Sequence, residues 1–224
     1  MATINDPNLA ANTQKVGETA TGATGASHHV LKPLPSSLGH YRVAVKVNLI
    51  AAQAANSRLF EIRNTSATNL IIPTRLEVRW LQTGAHTAAI LDAIDLFKVT
   101  GFTAVDTTNT VTPTPSLKRL GMSATTAAIR HVTVAGAAAG MTGGTLTKDP
   151  GVGIGMMEQW LLAAQPTAGV VVPTVKEMLD DVNGTHPLVF AQNEGFILEN
   201  RILLGAAAAS SVVVDLSYAE VLAY

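Results

Sequence analysis

Apolar and polar residues alternate in a series of short windows along this chain. From Tyr41 to Leu49 the odd positions are apolar (Tyr41, Val43, Val45, Val47, Leu49) and most even positions are polar, the period of a half-buried strand. Arg58 to Asn64 repeats the pattern over a shorter span, with Phe60 and Ile62 facing one way and Glu61 and Arg63 the other. Asn64-Thr65-Ser66 then supplies turn chemistry. Leu70-Ile71-Ile72 runs into Pro73, which suits a strand edge or start better than a central strand. Arg75 to Leu81 sets Leu76, Val78 and Trp80 against Arg75, Glu77 and Arg79, and Ala128 to Val134 alternates again. Nearer the C-terminus, Pro187 to Gln192, Gly195 to Leu204 and Ser211 to Leu222 carry strand signals, the last two separated by a small-residue turn at 205–209. In the last of these, Val212, Val214 and Leu216 share one face, with Val213 and Asp215 on the other.

The remaining segments are less regular. Ala88 to Val99 fits a helical or an extended period. Thr100 to Pro115 is a threonine-rich surface excursion with at most short strands, and residues 135–157 have loop-like glycine content. Glu158 to Ala164 forms a short strand, and Val170 to Val172 is an apolar run ended by Pro173. Thr174 to Asp181 reads as a helix: Thr174 caps it, Glu177 completes a capping box, Val175, Met178 and Leu179 form a stripe, and Asn183-Gly184 ends it. Residues 1–37 have no period and are rich in Gly, Ala, Thr and Ser, so alone they bury too little to offset their ordering entropy. Such a segment is either a disordered tail or an extended arm lying on a neighbouring subunit; the arm is favoured, with Leu31, Leu34 and Leu38 as its interface residues. Many short strands at spacings of about 8–15 residues, without βα alternation, predict an all-β fold with one or two short helices. The architecture expected is an antiparallel, jelly-roll-like β-sandwich: arm 1–37, single domain 38–224.

Composition changes what that domain is for. Hydrophobic residues make up 47% of the chain, aromatics 4% and charged residues only 14%, against about 25% charged in an average soluble domain. So thinly charged a surface suits a protein partly covered by neighbours. A chain of this length buries about seventy per cent of its unfolded surface, so it needs no staple to fold. It has no cysteine for a disulfide or a thiolate metal site. A net charge of -1 argues against direct nucleic-acid binding, which needs a basic stripe. No apolar run reaches the roughly 18 residues of a membrane span, and MATINDPNLAANTQ has neither the basic start nor the apolar stretch of a signal peptide. Synthesis in a cytoplasm is expected, and the sequons at Asn64 and Asn183 are then chance matches.

Candidate chemistry is sparse. Gly151-Val152-Gly153-Ile154-Gly155 lacks both the dinucleotide glycine spacing and a following Lys-Ser or Lys-Thr, so it reads as a surface loop. His28-His29 has no carboxylate or thiol at ligand spacing, and His40, His86, His131 and His186 are scattered. Asp92 with Asp95, and Asp180 with Asp181, are carboxylate pairs with no sign of the apolar pocket that acid–base catalysis needs. There is no Gly-x-Ser-x-Gly elbow. Lys118-Arg119, Arg75, Arg79 and Arg130 read as surface charges, with cross-strand ion pairing the simplest use of Arg75 and Arg79 beside Glu77. The expectation is a protein that is not an enzyme and takes no cofactor or metal.

Three segments carry a resemblance. Pro187-Leu-Val-Phe-Ala-Gln-Asn-Glu-Gly-Phe-Ile-Leu-Glu199, the turn Gly205 to Ala209, and Val212-Val-Val-Asp-Leu-Ser-Tyr-Ala-Glu-Val221 resemble the ending of a group of tailed-bacteriophage virion proteins. In that group an Asn-Glu-Gly turn joins two strands, and the last strand closes with aromatic-x-Glu-Val. Leu59 to Asn64 and Thr74 to Trp80 are similar to early strands of the same group. The segments span most of residues 58–222, and the C-terminal one is the distinctive part. The resemblance implies a virion component with a β-sandwich or jelly roll, a capsid decoration (cement) or minor capsid protein stabilising capsomer joints, with no catalytic residues. The partners expected are copies of itself in a homotrimer and other virion proteins, the major capsid protein first, with no membrane. The alternative is a head-fibre or tail component that binds a host receptor glycan.

Overall fold

The computed structural model describes residues 37–82, 90–117, 123–133, 136–151, 153–161, 171–177, 188–204 and 210–222. Twelve strands are found there: β1 (Ser37–Leu49), β2 (Arg58–Asn64), β3 (Leu70–Gln82), β4 (Ile90–Ala104), β5 (Thr110–Val111), β6 (Ser116–Leu117), β7 (Ala127–Val132), β8 (Thr145–Lys148), β9 (Ile154–Leu161), β10 (Val171–Glu177), β11 (Gly195–Asn200) and β12 (Ser210–Val221). They form two antiparallel sheets packed as a β-sandwich. Sheet A has the order β10-β3-β12-β1-β6, and sheet B the order β5-β7-β2-β11-β4-β8, with β9 also on β4.

The pairing is nested. β1 pairs with β12, β2 with β11, β3 with β10 and β4 with β9. The chain is therefore one long hairpin whose successive strand pairs alternate between the sheets. Rolling that hairpin brings β12 beside β3 and β11 beside β4. Between β4 and β9 the chain makes an excursion over 105–153. There β6 lies on β1, β7 on β2 and β5 on β7, and β8 returns to β4. The short excursion strands cover part of the β1 and β2 edges that an open sandwich would expose.

Period-two side-chain placement supplies the core. From sheet A it takes Tyr41, Val43, Val45, Val47 and Leu49 of β1, Leu76, Val78 and Trp80 of β3, and Val212, Val214, Leu216 and Tyr218 of β12. Facing them are Phe60 and Ile62 of β2, Phe196 and Leu198 of β11, Ile94 and Leu96 of β4, and Ile129 of β7. Phe60 and Phe190 both lie 6.0 Å from Phe196, and Tyr41 stacks on Tyr218 at 5.2 Å. Ile197, between two core residues, joins Val99 and Phe102 in a second small cluster.

Several expectations need correction. No helix occurs among the described residues: Thr174 to Glu177 lies in β10, paired with Val78 to Arg75 of β3, and 178–181 lies outside them. The capping-box spacing is a local signal. The β-branched run Val171, Val172, Thr174, Val175 suits the open edge of β3 better, and Pro173 is tolerated because β10 is an edge strand. Pro73 is inside β3, not at its start, next to the register shift where Ser217 faces Arg75 and Tyr218 faces Pro73. A bulge leaves one residue out of the ladder, and the missing N–H sits beside it. Ala88 to Val99 resolves as strand from Ile90, and β4 runs on to Ala104. Residues 135–157 contain β8 and the start of β9. Pro187 lies outside the described residues; among the described residues 188–192 Phe190 alone bridges another strand, at Ile71, and the strand from Gly195 ends at Asn200.

Phe196 touches aromatic rings on both sides, so Phe196→Ala leaves a cavity at the centre of the sandwich. Urea unfolding is expected to show a loss of about 3–5 kcal/mol with an unchanged m-value.

Candidate functional site

The residues that carry the resemblance have backbone duties. Asn193 adopts a left-handed conformation with φ 66°, which Asn tolerates better than most residues. Its N–H donates to the Asn64 carbonyl at 2.8 Å, Asn64 N–H donates to the Glu194 carbonyl at 2.9 Å, and Phe102 N–H donates to the Asn193 carbonyl at 2.7 Å. Arg63 Nη2 donates to Asn193 Oδ1 at 2.6 Å, and Glu194 Oε2 accepts the Ala191 N–H at 2.8 Å. A Cβ on Gly195 would lie 1.8 Å from the Ile62 carbonyl oxygen, so only glycine fits there. The turn is thus clamped between the end of β2 and β4. Asn64 itself is fully buried, its amide nitrogen donating to the carbonyls of Asn69 at 2.6 Å and Phe190 at 2.8 Å, so its sequon is not presented to solvent.

At the other motif, Glu220 is buried and accepts from Thr125 Oγ1 at 2.5 Å, Thr126 N–H at 2.7 Å and Thr126 Oγ1 at 3.0 Å. Tyr218 donates to Thr125 Oγ1 at 2.8 Å and Tyr41 to the Ser123 carbonyl at 2.9 Å. Burial, reinforced by the Glu220 charge, pushes both tyrosine hydroxyls above their ordinary pKa. This network ties residues 123–126 to the end of β12.

The other candidates are dispersed. His131 is buried with Nδ1 2.8 Å from the Val132 carbonyl, and burial lowers its pKa. His40 lies half-buried on β1 opposite Ala219. Gly151 is in open space, whereas a Cβ on Gly153 would strike Phe97 at 2.7 Å, so the second half of the glycine segment packs on β4 and enters β9. Leu38 is 42% exposed on β1, and Leu222, just past the Ser37–Val221 pair, is 58% exposed. Leu31, Leu34, His28, His29, His86, His186, Asp180, Asp181, Lys118 and Arg119 lie outside the described residues. Among the described residues no group of three or more His, Asp or Glu is arranged to hold a metal ion.

Charge is organised instead on the two outer sheet faces. On sheet A, Arg42 donates to the Asp215 carboxylate through Nε at 2.8 Å and Nη2 at 2.5 Å. Arg75 and Arg79 both reach Glu77, at 2.7 and 3.2 Å, and Arg79 approaches Asp215 at 4.0 Å. The pairing of Arg75 and Arg79 with Glu77 is within one strand; Asp215 supplies the cross-strand link. The cations stand out, the Arg42 side chain being 53% exposed, while the Asp215 side chain beneath is 1% exposed. The Arg42 hydrogen bond holds the Asp215 carboxyl below its ordinary pKa.

On sheet B the carboxylates of the strands are covered, while Lys148 and Arg201 above them stay 37% and 39% exposed. Glu61 and Asp106 are fully buried and Glu199 nearly so. Arg58 Nη2 lies 3.1 Å from Asp106 Oδ1, and Lys148 Nζ 2.5 Å from Glu199 Oε2 and 4.5 Å from the centre of the Phe97 ring. Arg201 grips Asp95 through two nitrogens at 2.8 and 2.6 Å. Burial raises the Glu199 pKa, with the Lys148 hydrogen bond opposing it. Of this group, Asp95 alone was singled out in the sequence, for a pairing with Asp92. The cover over Glu61 comes from the excursion, whose Asp106 and Gly144 lie far away in sequence. Comparison with models of known protein families and with curated proteins finds no match to this chain.

Two predictions follow from these contacts. Gly195→Ala forces the β2–β11 backbones apart and should cost more than about 3 kcal/mol by denaturant unfolding, beyond the usual overpacking penalty. The lowered Asp215 pKa stabilises the fold above the ordinary carboxylate value and is lost as pH falls through the folded value. Asp215→Asn is therefore less stable than wild type at pH 5, by roughly 1–3 kcal/mol for a charged hydrogen bond. The gap should narrow toward pH 2 in pH-resolved urea titrations.

Proposed function

We propose that this chain is a structural virion subunit that assembles with copies of itself and with capsid protein, as a decoration (cement) or minor capsid component of a tailed bacteriophage, without catalysis. The observation that carries the reading is the strand order. β10-β3-β12-β1 facing β9-β4-β11-β2, with nested pairing, supports reading the sandwich as a jelly roll, an architecture that recurs in viral capsid and lectin domains. The low charge content and the phage-like C-terminal segment support the same reading.

The attachment face in this reading is the outer face of sheet A. Arg42, Lys46, Arg75 and Arg79 lie along it, the carboxylates of Asp215 and Glu77 being more deeply buried than the guanidinium groups. Such a face complements an acidic capsid surface and steers the encounter. Specific attachment at a capsomer joint needs about 1,000 Å² or more of buried surface. Residues 1–37, as an arm on a neighbour, would add to it through high effective concentration, with the exposed Leu38 at the arm's root.

Size-exclusion chromatography with light scattering, followed by electron microscopy of mixtures with particles, tests this. A trimer that decorates capsids is expected. A stable monomer that ignores capsids and binds a glycan would favour the receptor-binding alternative. Deleting residues 1–36 leaves β1 whole, so the truncated protein should fold with an unchanged circular dichroism spectrum but decorate particles several-fold more weakly; equal decoration removes the arm from the account.

A further inference from the structure

Glu61 on β2 and Asp106 on the excursion are both fully buried. One oxygen of each is satisfied in the ordinary way: Glu61 Oε1 accepts the Asp106 N–H at 2.9 Å, and Asp106 Oδ1 accepts the Gly144 N–H at 2.8 Å. The other oxygen of each, Glu61 Oε2 and Asp106 Oδ2, is buried without a hydrogen-bond partner. Buried polar atoms rarely stay unsatisfied. One proton satisfies both, since a protonated carboxyl donates to the free oxygen of its neighbour.

The surrounding charges call for the same proton. On β2, Arg58 bridges to Asp106, while Arg63, two residues along from Glu61, bonds Asn193. On β7, Arg130 stands opposite Glu61 in register but forms no ion pair with it among the described residues. On β11, Glu199 is paired with Lys148 of β8, and on β4, Asp95 is paired with Arg201. Of the two central carboxylates, Arg58 compensates one.

We propose that Glu61 and Asp106 hold a single proton between them, and that this proton is a latch fastening the segments around Asp106 and Gly144 to the outer face of β2. Without it, two buried carboxylates repel across the joint, and the segments around Asp106 and Gly144 loosen from β2, while β7, whose Ile129 lies in the core, stays in place. Burial first, and the Asp106 charge after it, push Glu61 from 4.5 to about 7. A raised folded pKa means the stabilisation is complete below about 4.5 and is lost as pH rises through about 7. The latch therefore closes on mild acidification and opens in mild alkali, loosening the segments around Asp106 and Gly144 over the outer face of β2. This holds whether or not the protein is a virion subunit.

The test uses the full chain and Glu61→Gln. Glutamine keeps an acceptor for the Asp106 N–H and presents an N–H that no pH change in this range removes. Trypsin cleavage after Lys148, four residues beyond Gly144, is timed from pH 5.5 to 8.5, and the wild-type rate is divided by the variant rate at each pH to cancel the protease's own profile. The ratio should stay near one at pH 5.5 and rise several-fold by pH 8.5, with wild-type circular dichroism unchanged. A ratio flat across the range overturns the latch. Should Glu61→Gln fail to fold, the wild-type Glu61 carboxyl carbon is followed by NMR. Titration near neutrality supports the shared proton, and titration complete below pH 5 overturns it.

Discussion

The pairing of β1 with β12, in continuous register from Gly39–Glu220 to Leu49–Ser210, is the interaction on which the rest of the structure depends. Backbone N–H and C=O groups buried inside a sandwich must find partners, and β12 finds them on both sides, with β1 and β3. Its alternation then sends Val212, Val214, Leu216 and Tyr218 into the core. Once β12 is fixed, β2 meets β11, and the rolled hairpin closes. The cost is kinetic. The pairing joins residues as distant as Arg42 and Asp215, 173 positions apart, and such long-range contacts slow folding because chain entropy is lost before the contacts form.

Both outer faces set partly exposed cations over buried carboxylates, but sheet B also holds one carboxylate pair sealed away completely. On sheet A, the Arg75 and Arg79 pairs with Glu77 are partly exposed and contribute little to stability individually, whereas the Arg42 pair rests on the buried Asp215 carboxylate; all three cations keep about half of their surface or somewhat less in water and present a field there. On sheet B, the excursion seals Glu61 and Asp106 away from water, where every uncompensated charge is costly. The excursion thus closes the edges of the sandwich and turns an ordinary outward-facing glutamate into a group near its titration point.

Much of the fold was legible in the sequence. The alternation in Tyr41–Leu49, Arg58–Asn64 and Arg75–Leu81 marks the faces of β1, β2 and β3 correctly, because one side of each strand meets the core and the other does not. Thr174–Glu177 was misleading because capping spacing is local while the partner that decides, β3, is about a hundred residues away. Glu61 was assigned to the right face, but its burial depends on Asp106 and Gly144, which arrive from a threonine-rich stretch with no period of its own. Asn193 and Gly195 stood out only as a motif; the Ile62 carbonyl that demands glycine is visible only after β2 and β11 are side by side.

Hydrogen exchange followed by mass spectrometry examines the governing pairing directly. Peptides covering Ser210–Val221 are predicted to exchange last, at the rate of global unfolding, together with the inward half of β1 and well behind β6 and β8. Exchange of β12 as fast as those short edge strands would contradict the nested hairpin and everything built on it.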